Sequence, residues 1–280
     1  MKLVLRDRTL DLAEPLVMGV LNVTPDSFSD GGRYFSVEEA VAQGERIAAD
    51  GAAIVDIGGE STRPGAAPVG AEEEIRRVVP VIERLAGRIG AAISVDTSKP
   101  EVISAAVTAG ASMVNDVRAL RMPGAMEAVA ASGAAVCLMH MQGEPATMQQ
   151  RPDYSDVLAE VRQFLASRVA ACEAAGIPRE RICVDPGIGF GKTPAHNLSL
   201  LARLAEIGVA GCPVLVGVSR KSLVGIITGR APGDRYAGSV AFAALAAAGG
   251  AAIVRAHDVA ATVDAVKVGS ALRRAAAGDA

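Results

Sequence analysis

Eight short apolar runs alternate with eight helical patterns, and no Pro/Ser-rich linker separates them. With a length of 280 residues, this predicts one α/β domain, a (β/α)8 TIM barrel preceded by a short N-terminal β-hairpin. Strict alternation calls for parallel strands joined by helical crossovers. A doubly wound sheet would alternate in the same way, but the first strand runs into LNVTPDSFSDGG instead of a GxGxxG phosphate loop. Composition agrees. Half of the chain is hydrophobic, only 3% is aromatic and there is no Trp, so β-branched strands are expected to pack on Ala-rich helix faces.

Residues 2–12 read as a hairpin: Leu3-Val4-Leu5, a polar Arg6-Asp7-Arg8-Thr9 turn, then Leu10-Asp11-Leu12. A two-stranded ribbon is marginal alone, so the segment over 1–14 is expected to plug the bottom of the barrel formed by 15–277. The strands are placed at 16–22, 53–58, 91–96, 112–115, 135–139, 182–185, 213–217 and 252–256. The first helix, 37–49, has Ser36 and Glu39 at capping-box spacing; the second, about 72–86, opens with charge that suits the helix dipole. The third opens at Ser98-Lys99-Pro100-Glu101, where a capping box is again expected. The rest fall at 124–132, 155–175, 195–206, 236–248 and 259–276, and Gly51, Gly110, Gly133 and Gly176 stand where C-terminal cap glycines belong.

The net charge of −3, with no basic stripe, argues against nucleic acid as a partner. No run of 18 apolar residues appears, and MKLVLRDRTLDL is charged where a signal peptide is apolar, so a soluble, cytoplasmic protein is expected with no membrane partner. Cys137, Cys172, Cys183 and Cys212 show no CxxC pairing and read as buried free thiols. No HExxH spacing occurs among the three histidines, which argues against a structural zinc site.

Barrel enzymes place their chemistry at the carboxyl ends of the strands. Those positions here hold Asn22, Asp56, Asp96, Asn115, His140, Asp185, the Ser219-Arg220-Lys221-Ser222 cluster, Arg255 and His257. Asp96, Asn115 and Asp185 each end an apolar run, and converging acceptors of this type suit a ligand rich in N–H donors, such as a 2-amino-4-oxo heterocycle. Lys221 and Arg255 add positive charge, and Arg255, His257 and Arg63 would form an anion site; the bland alternative is a structural ion-pair network. Asp56 reads as support for the first two loops, and His140 as a strand-end residue bonded to backbone.

Seven motifs in order, NVTPDSFSDGG at 22–32, GGESTRPGA at 58–66, SVDTSKPEV at 94–102, ND at 115–116, DPGIGFGK at 185–192, SRKS at 219–222 and RAHD at 255–258, resemble those of the dihydropteroate synthase family along the whole chain. That family joins 4-aminobenzoate to a dihydropterin pyrophosphate with Mg²⁺, releasing diphosphate. The resemblance implies a pterin site of Asp96, Asn115, Asp185, Lys221 and Arg255 walled by Met139 and Phe190. It implies a 4-aminobenzoate slot of Phe28, Thr62, Pro64 and Ser222, near a helix starting about Ser219–Ser222. Asn22 would ligate Mg²⁺, and Asn22, Thr62, Arg63, Arg255 and His257 would face the diphosphate; Asp96, Lys221, Arg63, Arg255 and His257 would carry catalysis. A homodimer is also implied. Two rivals share the pterin residues: a barrel that transfers a methyl group from a folate, and a non-catalytic pterin-binding paralogue. Arg63, Thr62, Pro64 and Ser222 speak against the first, and Asn22, Arg63, Lys221 and His257 against the second.

Overall fold

A computed structural model describes residues 1–24, 36–61, 67–144 and 147–278. The hairpin is β1 (Lys2–Val4) with β2 (Thr9–Asp11), antiparallel. The barrel strands are β3 (Leu16–Asn22), β4 (Ile54–Gly58), β5 (Ala92–Asp96), β6 (Met113–Asp116), β7 (Ala135–Met139), β8 (Ile182–Asp185), β9 (Leu215–Gly217) and β10 (Ile253–Ala256). The helices are α1 (Val37–Ala49), α2 (Ala71–Leu85), α3 (Pro100–Ala109), α4 (Ala125–Ser132), α5 (Val157–Ala174), α6 (Pro194–Ala202), α7 (Ser222–Thr228), α8 (Tyr236–Ala248) and α9 (Val259–Ala277). All eight expected strands are present within two residues of their expected bounds.

The sheet runs β8-β7-β6-β5-β4-β3-β10-β9, each neighbour parallel. A bridge between Val184 and Val214, with the Val184 N–H donating to the Pro213 carbonyl at 3.0 Å, closes the ring. No helix among the described residues is long and apolar enough to cross a membrane.

The two-residue period of the strands sorts side chains between two environments. One set faces outward onto the helices, where Leu21, Val55, Ile57, Val95, Val114, Val136, Leu138 and Val184 join one large buried cluster with α1–α9. The other set faces inward. At its lower level Met18, Ile54, Ala92, Met113, Ala135, Cys183, Leu215 and Ile253 pack with Leu3, Leu5 and Leu12 of the hairpin. The hairpin therefore seals the amino-terminal end of the barrel with leucines. Two residues further along the same strands, the interior becomes polar: Asp56, Ser94, Asn115, Asp185 and Arg255.

Ser36 caps α1 as expected, its Oγ accepting from the Glu39 N–H at 3.2 Å, and the four cap glycines take positive φ. The capping box expected at Ser98 does not form. Helix α3 starts one residue later than that spacing requires, with Lys99 at its cap and no side-chain bond, while the Ser98 hydroxyl donates to Asp116. Donating to a buried carboxylate gives the hydroxyl a charge-assisted bond, stronger than the neutral one it would accept from a helix N–H. The expected helix over 195–206 divides into α6 and a separate 3₁₀ turn at Leu204–Glu206. The short α7 follows β9 in addition to the eight crossover helices.

Candidate active site

Register brings the polar strand ends together. Asn22 lies opposite Gly58, Gly58 opposite Asp96, and Asp96 opposite Asn115, so three site candidates occupy one row across β3–β6. Gly58 leaves that row open between Asn22 and Asp96. On the far side of the ring Met139 pairs with Asp185.

Arg255 bridges the mouth. Its Nε donates to Asp56 Oδ2 at 2.7 Å and its NH2 to Asp96 Oδ2 at 2.8 Å, while Asn115 Nδ2 donates to the same Asp56 oxygen at 3.0 Å. Asp56 is fully buried, and its Oδ1 has no hydrogen-bond partner among the described residues. It positions Arg255 and Asn115, while most of the two loops it was expected to support lies outside the described residues. Burial pushes the Asp96 carboxyl up to about 7, against the pull of Arg255 and with the help of Asp56. Burial works to lower the Arg255 pKa, but Asp56 and Asp96 outweigh it and hold the guanidinium charged. The alternative of a structural ion-pair network thus describes Arg255 in the free protein.

Lys221 and Asp185 occupy the opposite wall. Lys221 Nζ donates to the Ile188 carbonyl at 2.7 Å and sits 4.7 Å from the centre of the Phe190 ring. Burial lowers its pKa to about 8, although Asp185 pulls the other way. Asp185 Oδ1 accepts from the Gly187 N–H at 2.6 Å; burial raises its pKa, opposed by Lys221. Met139, Val117, Met141 and Met148 form a small apolar cluster on which Phe190 packs, so both expected wall residues share one surface.

Sequence reasoning left out Lys192. It is 2% exposed and packs its Nζ against His140 Nδ1 at 2.9 Å and the Gly187 and Phe190 carbonyls at 3.0 Å each. Burial lowers Lys192 to about 7 and His140 to about 3, so the imidazole is the neutral acceptor. The His140 N–H donates to the Asp185 carbonyl at 2.9 Å, in keeping with the backbone bond expected at that strand end, and its ring meets Lys192 in addition. The signal for Lys192 was the spacing of three glycines before a lysine in GIGFGK.

His257 meets Ser219, Oγ to Nδ1 at 3.1 Å, and its N–H donates to the same hydroxyl at 3.2 Å. Ser222 opens α7 and is exposed. Phe28, Thr62, Arg63 and Pro64 lie outside the described residues. For a metal, Asn22 offers a neutral hard oxygen at the end of β3, and no group of three or more His, Cys, Asp or Glu side chains among the described residues forms a ready-made cage. That donor set suits Mg²⁺, which binds through few protein ligands plus phosphate oxygens and water.

A family model described as pterin binding enzyme matches residues 18–257. The dihydropteroate synthase of Escherichia coli K12 is 54% identical over 268 residues, 96% of this chain and 95% of that protein. A structure of Xanthomonas albilineans dihydropteroate synthase with 4-aminobenzoic acid superposes with a TM-score of 0.91 at 55% identity, covering 97% of this chain and 98% of that one. Another from that organism, in complex with 7,8-dihydropteroate, gives 0.88 at 52% identity over 98% and 99% of the two chains.

Proposed function

The chain belongs to the pterin-binding enzymes and, among them, to the dihydropteroate synthases; on that premise we propose that it condenses (7,8-dihydropterin-6-yl)methyl diphosphate with 4-aminobenzoate to give 7,8-dihydropteroate and diphosphate. The convergence of Asp96, Asn115 and Asp185 beside Lys221 inside one barrel mouth carries this reading. Carboxylates accept the pterin's amino and ring N–H groups, while Lys221 donates to its carbonyl side. Phe190 and Met139 supply the apolar wall that a flat heterocycle needs. The bound 4-aminobenzoic acid and dihydropteroate of the Xanthomonas albilineans enzyme support the same substrate and product here.

The reaction follows an SN1-like path. The methylene C–O bond breaks, its electron pair leaving with diphosphate, and the positive charge spreads into the pterin. Asp96 faces that charge as a carboxylate, which stabilises the cation electrostatically without forming a bond. The arylamine nitrogen then donates its lone pair to the methylene carbon, forms the C–N bond and releases its proton to solvent water. Mg²⁺, held through the Asn22 amide oxygen and the diphosphate, would supply charge neutralisation on the leaving group. Arg255 begins between Asp56 and Asp96, so a pterin bound to Asp96 competes for one arm of its guanidinium. Arg63, Thr62 and His257 take the diphosphate side, and Phe28, Pro64 and Ser222 the aminobenzoate slot.

A homodimer completes the reading. Ile226, Ile227, Tyr236, Leu245, Val268 and Leu272 are exposed on α7, α8 and α9, and among the described residues Met1 and Leu198 are the other large apolar side chains so exposed. A cytoplasmic location agrees with four free, buried cysteines.

The test is diphosphate release from the pterin substrate with Mg²⁺, with and without 4-aminobenzoate. Stoichiometric dihydropteroate is the expected result. Pterin binding by a folded protein without product would favour the non-catalytic or methyl-transfer alternative.

A further inference from the structure

The loop from Gly187 to Gly191 presents a row of backbone carbonyls, each of which accepts from a side chain. The Gly187 and Phe190 carbonyls accept from Lys192, that of Ile188 from Lys221, that of Gly189 from Gln149 and that of Gly191 from the Tyr154 hydroxyl. The chain can fold this tightly only because Gly187 and Gly191 lack side chains. Both have positive φ, and a Cβ at either would stand 1.9 Å from the His140 carbonyl oxygen or 2.4 Å from that of Gln142.

Inside this turn is an ammonium that reaches no carboxylate of the described residues by hydrogen bond. Among the described residues, Lys192 bonds to His140 Nδ1, to the Gly187 and Phe190 carbonyls and, at 3.4 Å, to the His140 carbonyl. Burying a lysine in this way opposes folding unless every donor is satisfied. The three groups that this loop presents are all assigned to the pterin. They are Asp185, oriented by the Gly187 N–H; Lys221, oriented by the Ile188 carbonyl; and the Phe190 ring beneath Lys221.

We infer that Lys192 is a positioning residue of the pterin subsite: anchored on the His140 ring, it fixes the carbonyl cage that holds Asp185, Lys221 and Phe190 in register. It touches no reacting atom. Its charge acts on Asp185, whose carboxylate it favours, and it adds to the positive potential around Lys221. The inference rests on the pterin reading of the site.

The experiment is steady-state kinetics of the parent, Lys192→Met, His140→Leu and His140→Asn with both substrates varied. Met keeps the length and apolar stem of Lys192 but removes its donors and charge. Lys192→Met is expected to raise the KM for the pterin substrate about tenfold, the loss expected for a charge-assisted hydrogen bond, with the KM for 4-aminobenzoate unchanged. His140→Leu should raise the pterin KM, and His140→Asn, which restores an acceptor near Nδ1, should bring it back towards the parent. If Lys192→Met does not fold, the His140 pair decides by the same criterion. An active parent with unchanged pterin KM in the variants, or an equal rise in both KM values, overturns the role of Lys192 alone. An inactive parent overturns the functional reading and this inference with it.

Discussion

Asp56 shows how far one residue's surroundings can depart from its local sequence. VDIGG reads as a strand running into a loop, yet the carboxylate points into the barrel, fully buried, and holds Arg255 and Asn115. Asp56→Asn removes the charged acceptor from a buried guanidinium and leaves Asp96 as its remaining partner. A loss of about 3 kcal/mol in unfolding free energy is expected, read from urea denaturation; an unchanged midpoint would mean that the ion pair contributes nothing. Asp96 makes the complementary case. Its pKa stands at about 7 in the folded free protein against 3.8 ordinarily, so between those values the folded state holds a proton that the unfolded state has released. The stability that Asp96 contributes is full below the ordinary value and is lost as pH rises to about 7. The unfolding midpoint of the parent relative to Asp96→Asn should therefore fall across that window, and a flat difference would contradict the buried environment. The site works against the fold at neutral pH, and a ligand donating to Asp96 relieves that opposition.

At the level of elements, the connection from β4 to α2 is tied at both ends. Lys99 donates to Glu60 Oε2 at 2.6 Å and to the fully buried Glu74 of α2, while Glu60 Oε1 accepts from the Val69 N–H at 2.9 Å. Arg77 adds a bond to the Gly59 carbonyl at 2.9 Å. These contacts flank the stretch that carries Thr62, Arg63 and Pro64. Removing the ammonium leaves Glu74 buried without its cation, and Glu74 Oε1 already has no partner among the described residues. Lys99→Met should cost about 3–5 kcal/mol of stability and lower turnover; full stability in a thermal melt would show that the network carries little energy. The same network explains why the helix start at 98–101 departs from its expected capping box. Lys99 and Ser98 are both drawn to buried carboxylates, and the helix begins with Pro100 instead.

For the molecule as a whole, the barrel separates stability from chemistry along its axis. Leucines of the hairpin and an apolar lower layer close one end, and the polar layer opens at the other. The outer surface carries a third feature, the exposed apolar side chains of α7, α8 and α9. Val268 and Leu272 are one helical turn apart on α9, 58% and 64% exposed. If they meet a second copy, Leu272→Glu should shift the protein from dimer to monomer in light scattering with the barrel still folded. A parent that is already monomeric would end the homodimer reading.

Much of this protein was determined by the sequence itself, because each feature depends on near neighbours. Strand positions follow from short apolar runs and the Ser36 cap from local spacing. The polar strand ends follow from the rule that barrel chemistry collects at carboxyl termini, and the seven motifs assigned the family. What only the tertiary structure decided involves residues far apart in the chain. Asp56 pairs with Arg255 across 199 positions, and Lys192 finds His140 across 52. Neither partner could be chosen from the sequence, since burial decides which charges must be paired, and burial is set by register and ring closure. The cap at Ser98 failed for the same reason: a strong local preference gave way to a buried carboxylate brought in by another strand.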